Sequence, residues 1–128
     1  METKVSAERV VRIATFNTSL NRDVAGRLVE DLTGRDHPQA RNVARIIQEA
    51  RPDVLVIQEF DYDAAGHALR LFRQNYLGVP QGTSKAINYS YARAFPSNTG
   101  IPSGVDLTGD GQTDGPGDAF GFGKHPGQ

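Results

Sequence analysis

Two runs decide the fold: VVRIATFN, residues 10–17, and PDVLVIQE, residues 52–59. In the first, Val11, Ile13 and Thr15 alternate with Arg12, Ala14 and Phe16. That is the two-residue period of a β-strand whose two faces meet different surroundings. The second contains DVLVIQ, a continuous apolar run of strand length, the pattern of a central strand covered on both faces. Between them, residues 38–50 repeat at helical spacing. Ala40, Val43, Ala44, Ile46, Ile47 and Ala50 make one apolar face, with Arg41, Arg45, Gln48 and Glu49 largely opposite. Asp36 is placed to cap this helix, Pro38 fits its first turn, and Pro52 prevents its continuation. A helix packing back on a sheet between two such strands is a βαβ-like unit, with a right-handed crossover.

Further elements follow outward from this unit. Residues 22–33 place Val24, Leu28 and Leu32 at helical spacing, with Gly26 weakening the helix and Gly34 stopping it. Beyond Glu59, Asp61 or Asp63 caps a helix over 64–76, with Ala65, Ala68, Leu69, Phe72 and Tyr76 inward. Residues 87–95, INYSYARAF, alternate like another strand. From Gly78 onward lie 11 of the 14 Gly and 5 of the 7 Pro, so the apolar core belongs to residues 10–77. Residues 78–128 read as one strand plus Gly/Pro-rich loops, either a functional loop or the approach to a further strand.

Composition narrows the function classes. The 128 residues suit one modest domain or a piece of a larger one. A formal net charge of -1 supplies no global field for nucleic acid or anionic lipid. Cysteine is absent, which removes thiol chemistry and disulfides. No apolar run approaches the roughly 18 residues needed to span a bilayer, and residues 1–17 lack the apolar stretch of a signal peptide.

Asn17 and Glu59 end the two strand-like runs. In open sheets, sites gather at the carboxyl ends of strands. An amide oxygen beside a carboxylate there is a hard donor pair suited to Mg²⁺ or Mn²⁺. The plain alternative is that Asn17 caps a turn and Glu59 is a solvated strand end. A second candidate is DLTGDGQTD, residues 106–114. Asp106, Thr108, Asp110 and Asp114 fall at positions resembling 1, 3, 5 and 9 of a Ca²⁺ loop, with Gly111 at the sharp turn. Its position 12 is Gly117 instead of Glu, with Asp118 one place late. The plain reading of the same residues is an acidic surface turn. Arg93, near Tyr89 and Tyr91, is a candidate phosphate contact, because a guanidinium binds phosphate through a planar fork; the plain reading is a solvated strand face. Asp36-His37 reads as a capping Asp beside a surface His. His67 and His125 read as structural or solvated.

RIATFN, a helix and then RPDVLVIQE together resemble the opening of the endonuclease/exonuclease/phosphatase family. The segments 59–77, 96–111 and 121–128 resemble a bacterial branch of it often found in secreted proteins, which implies an extracellular location. The resemblance implies an α/β (α+β) chain forming the N-terminal part of a two-sheet sandwich of the deoxyribonuclease-like type. It also implies metal-assisted attack of water on a phosphate ester, with Glu59 binding Mg²⁺ or Mn²⁺ and Asn17 orienting the metal or the phosphate. In the family a His–Asp pair and an Asp–Asn pair come from later strands, and Asp36-His37 does not stand at the corresponding place. The expectation is therefore a truncated chain that needs the remainder of its domain and is inactive alone. The rival expectation is a non-catalytic calcium-binding or interaction module built on the 106–114 loop.

Overall fold

The computed structural model describes residues 7–128. Strand β1 (Ile13–Leu20) pairs in parallel with β2 (Val54–Phe60), in register from Ile13 opposite Val54 to Asn17 opposite Gln58. The pairing is fixed just ahead of both strands. The Arg12 amide donates to Asp53 Oδ2 at 2.8 Å, and the Arg12 carbonyl accepts from the amides of Asp53 (2.8 Å) and Val54 (3.1 Å). The connection carries helices α1 (Arg27–Thr33) and α2 (Pro38–Ala50); α3 (His67–Phe72) follows β2 and widens into a π-helical turn at Arg73–Leu77.

The strand period divides the sheet as its sequence demands. Phe16, Leu20, Leu55 and Phe60 pack with the helices, whose buried face supplies Leu28, Leu32, Ala40, Val43, Ala44, Ile47, Ala68, Phe72 and Tyr76. Ile13, Thr15 and Asn17 lie on the other face. That face corrects one expectation. β2 is not covered on both sides: Val54 and Val56 are 48% and 53% exposed, and among the described residues the sheet has two strands. A continuous apolar run records apolarity but not which cover meets it.

Several local expectations are also corrected. β1 spans Ile13–Leu20 in place of 10–17, continuing past Asn17. His37, not Asp36, caps α2: its Nδ1 accepts the Ala40 amide at 3.4 Å, and its ring is half-buried. Helix α1 begins at Arg27, because Gly26 adopts φ 82 and starts the helix instead of weakening its interior; Val24 is left exposed. Helix α3 begins at His67, where Asp63 accepts the amides of His67 (2.7 Å) and Ala68 (2.9 Å). Ala65 stays outside it and exposed. Residues 87–95 form no strand. They run without a paired neighbour, held by the Tyr89 hydroxyl on the Pro52 carbonyl (2.8 Å) and by Arg73 on the Tyr89 carbonyl. Alternation alone does not make a strand when no ladder partner is present.

Helix α2 holds the most instructive exception. Ile46 and Ala50 face outward, while Gln48 is 2% exposed. Its Nε2 donates to the carbonyls of Leu77 (3.0 Å) and Val79 (2.8 Å), with Tyr76 O at 3.3 Å, and its Oε1 accepts the Gln81 amide at 3.0 Å. The widened turn after α3 ends in buried carbonyls that an apolar side chain cannot satisfy. Among the described residues no helix is long and apolar enough to cross a membrane.

Replacing Gln48 by Leu keeps the volume and removes the donors. Stability falls by about 2 kcal/mol or more, read as a lower urea midpoint with an unchanged slope. An unchanged midpoint would show that water reaches those carbonyls.

Candidate metal centre at the strand ends

Beyond Asn17 and Gln58 the two strands slip register, to resume with Leu20 opposite Phe60. Both strands meet the slip with a non-glycine residue in the left-handed region: Ser19 at φ 49 and Glu59 at φ 53. Each such residue costs about 1–3 kcal/mol and persists only where its surroundings fix it. Here they do. The buried Thr18 hydroxyl donates to the Gln58 carbonyl at 3.0 Å, and Gln58 Nε2 donates to Thr15 Oγ1 at 2.7 Å.

Asn17 and Glu59 meet through Ser19. Asn17 Oδ1 accepts the Ser19 amide at 3.1 Å, and Glu59 Oε2 accepts the Ser19 hydroxyl at 3.3 Å. Both side chains are exposed. From α2, Gln39 Nε2 donates to the Ser19 carbonyl at 2.5 Å, and Gln39 Oε1 accepts Arg22 Nη2 at 3.0 Å. Arg22 Nε in turn binds Asp31 at 2.8 Å on α1. Burial alone pushes the Asp31 carboxyl up, but the hydrogen bond and charge of Arg22, with His37 and Arg27, outweigh it and hold the group below its ordinary value. Ser19, Gln39 and Gln58 were missed by sequence reading. The only signal was a Ser two residues after Asn17, with nothing to mark its backbone.

The three histidines lie elsewhere. His37 faces Asp31 (3.5 Å), His67 faces Asp63 (4.0 Å), and His125 faces Asp61 (3.8 Å). His125 Nε2 is also 2.8 Å from the Arg22 carbonyl. Burial raises the Asp61 carboxyl, against two hydrogen bonds from the Arg22 amide. The 124–128 segment is fastened close by: Lys124 Nζ bonds Asp23 at 2.5 Å, the Tyr62 amide donates to the Gly127 carbonyl at 2.7 Å, and the Gly127 amide donates to the Thr99 carbonyl at 3.0 Å. Gly100 is required here, since a Cβ would come within 1.8 Å of the His125 carbonyl oxygen.

In the acidic loop, carboxylate oxygens of Asp106, Asp110 and Asp118 lie within 4.8 Å of one another. Asp118 therefore stands in the group and Asp114 lies outside it. Much of this carboxylate capacity is already taken up by the loop. Asp106 accepts the amides of Gly109 (2.6 Å), Asp110 (3.2 Å) and Gly111 (2.8 Å) and the Thr108 hydroxyl (3.4 Å). The Gly111 bond foremost holds the Asp106 carboxyl below its ordinary value. Asp118, 1% exposed, accepts the amides of Leu107 (2.6 Å) and Thr108 (3.2 Å). Arg93 is exposed, 5.0 Å from the Phe95 ring, and joins Arg70 and Arg73 in lining a cavity of about 300 Å³. Among the described residues, Arg93 forms no hydrogen bond or ion pair with Asn17 or Glu59.

A family model described as Endonuclease/Exonuclease/phosphatase family matches residues 14–125. No curated protein and no solved structure matches the chain.

The Asp31 cluster carries a pH signature. A carboxyl held low in the folded state contributes stability that is complete above its unfolded value, near 3.8, and is lost as the pH falls through the lower folded value. Asp31→Asn therefore lowers stability at neutral pH and flattens the loss of stability on acidification below about pH 4, measured by urea unfolding across the acid range. An acid limb unchanged in the variant would assign the dependence to other groups.

Proposed function

The chain belongs to the endonuclease/exonuclease/phosphatase family, and from that premise we propose that it supplies the divalent-metal side of a site that hydrolyses phosphate esters. One observation supports this most: Asn17 and Glu59, on different strands, are fastened to the same residue at the carboxyl end of a parallel sheet. The donor set fits the metal. Both groups are hard oxygen donors, both are exposed, and neither is tied up by an Arg or Lys ion pair among the described residues. Mg²⁺ keeps several waters and takes one or two protein carboxylates, so a partial protein shell is its usual condition.

In this reading Glu59 holds Mg²⁺ or Mn²⁺ directly and Asn17 orients the ion or the phosphate. The bound ion would polarise a phosphoryl oxygen and steady the leaving group, worth on the order of several kcal/mol. The chain's own contribution is placement: the slipped register sets Glu59 on a fixed backbone, and Thr18 and Gln58 keep the two strand ends together. Proton transfer to and from the reacting atoms belongs to groups other than the three described histidines, each of which faces a different aspartate. The open sheet face, with Ile13, Thr15, Val54 and Val56, is the surface that the second sheet of a two-sheet sandwich covers in this proposal. The substrate class is a phosphate ester.

A second reading rests on the convergence of Asp106, Asp110 and Asp118: a non-catalytic module in which this loop takes Ca²⁺. Calcium then raises the melting temperature, Asp110→Ala erases the rise, and Glu59→Ala leaves it intact.

For the first reading, titration with Mn²⁺ followed by electron paramagnetic resonance shows one site. Glu59→Gln weakens it roughly tenfold or more. With Mg²⁺ the chain leaves bis-p-nitrophenyl phosphate near its background rate. EDTA-sensitive turnover would show instead that the described residues also move the proton.

A further inference from the structure

We infer that Ser19 is a positioning residue of the metal centre, its hydroxyl fixing the Glu59 carboxylate while its amide fixes Asn17; the inference rests on the metal reading of those two residues. All three polar groups of Ser19 are engaged: the amide to Asn17 Oδ1 (3.1 Å), the hydroxyl to Glu59 Oε2 (3.3 Å), and the carbonyl from Gln39 Nε2 (2.5 Å). Through Gln39 it is anchored to Arg22, and through Arg22 to Asp31. The anchor therefore reaches from the exposed strand ends to helices α1 and α2.

The backbone makes the argument specific to the hydroxyl. Ser19 has φ 49, where glycine is unstrained and a residue with a Cβ is not. Glycine would keep the amide bond to Asn17 and the carbonyl bond from Gln39. What serine adds, at a cost in backbone strain, is the oxygen on Glu59. Glu59 is exposed and has a long side chain with several rotatable bonds. Unheld, it must be ordered at the moment it binds a cation. Residues that orient a metal ligand typically change metal affinity by about 10–100-fold when removed.

Stability and metal affinity should then move in opposite directions. Ser19→Gly melts at the same temperature as wild type or higher, yet binds Mn²⁺ roughly tenfold more weakly. Ser19→Thr restores a hydroxyl on a more strained backbone: it melts lower and keeps near wild-type Mn²⁺ affinity. Adding Ser19→Gly to Glu59→Gln causes little further loss. Mn²⁺ alone is the probe, by electron paramagnetic resonance, with melting recorded metal-free. Wild-type affinity in Ser19→Gly, or equal losses in the Gly and Thr variants, overturns the role of the hydroxyl. If wild type binds no Mn²⁺, or Glu59→Gln binds as wild type does, the metal reading has failed. The metal-free crystal structure of Ser19→Gly then decides the remaining claim: a Glu59 carboxylate that leaves its place supports the hold, and one that stays overturns it.

Discussion

Parallel pairing of β1 with β2 is the constraint from which the rest follows. A hairpin turn cannot join parallel strands, so the chain must cross from one end of the sheet to the other. Here α1 and α2 make that crossing, and their apolar faces become the cover of one sheet face. The same constraint points both strands the same way, so both carboxyl ends arrive together. Asn17 and Glu59 share a neighbourhood because of topology, although they stand 42 positions apart in sequence numbering (17 to 59). An antiparallel pair would have placed them at opposite ends.

Strain is concentrated where the strands stop pairing. Ser19 and Glu59 are both left-handed, on neighbouring strands, within the stretch where register slips. A strained residue on one strand could be an accident of a turn. Two at the same level, joined by their own side chains, form one device. The offsetting contacts come from both sides of the slip: Thr18 and Gln58 within the sheet, Gln39 and Arg22 from the connection between the strands. The outcome is an exposed Asn17–Glu59 pair on a backbone held from both sides, the kind of preorganisation that the proposed site requires.

The sequence was most legible where one physical rule acts alone. The period of residues 13–18, the buried face of α2 and the helix-capping Asp63 all emerge from burial and capping. The proposal of Asn17 and Glu59 as metal donors starts from the rule that sheet sites lie at carboxyl ends. The reading failed where a residue answers a tertiary demand. Gln48 looks like a surface residue until the buried carbonyls after α3 are known. His37 is a cap because its ring nitrogen reaches Ala40, which composition does not reveal. Asp118 joins Asp106 and Asp110 because two short turns, Pro116–Asp118 and Phe120–Phe122, fold the loop back. Ser19 is silent in sequence because a backbone slip confers its role. Residues 87–95 show the converse: a sound local pattern that lacks a neighbour.

The bond from the Gly127 amide to the Thr99 carbonyl has a consequence for how this chain tolerates change. It closes residues 99–127 into a ring whose neck rests on Tyr62 and Arg22, beside the strand ends. Ring-closure entropy grows only with the logarithm of length, about 0.6 kcal/mol per doubling. The neck is crowded, with Gly100 against His125. Added length on the far side of the ring thus costs little closure entropy, while the bonds that Asp106 and Asp118 accept within it must be kept. The neck is a fixed hem, and the ring beyond it is held in shape by its own carboxylate bonds.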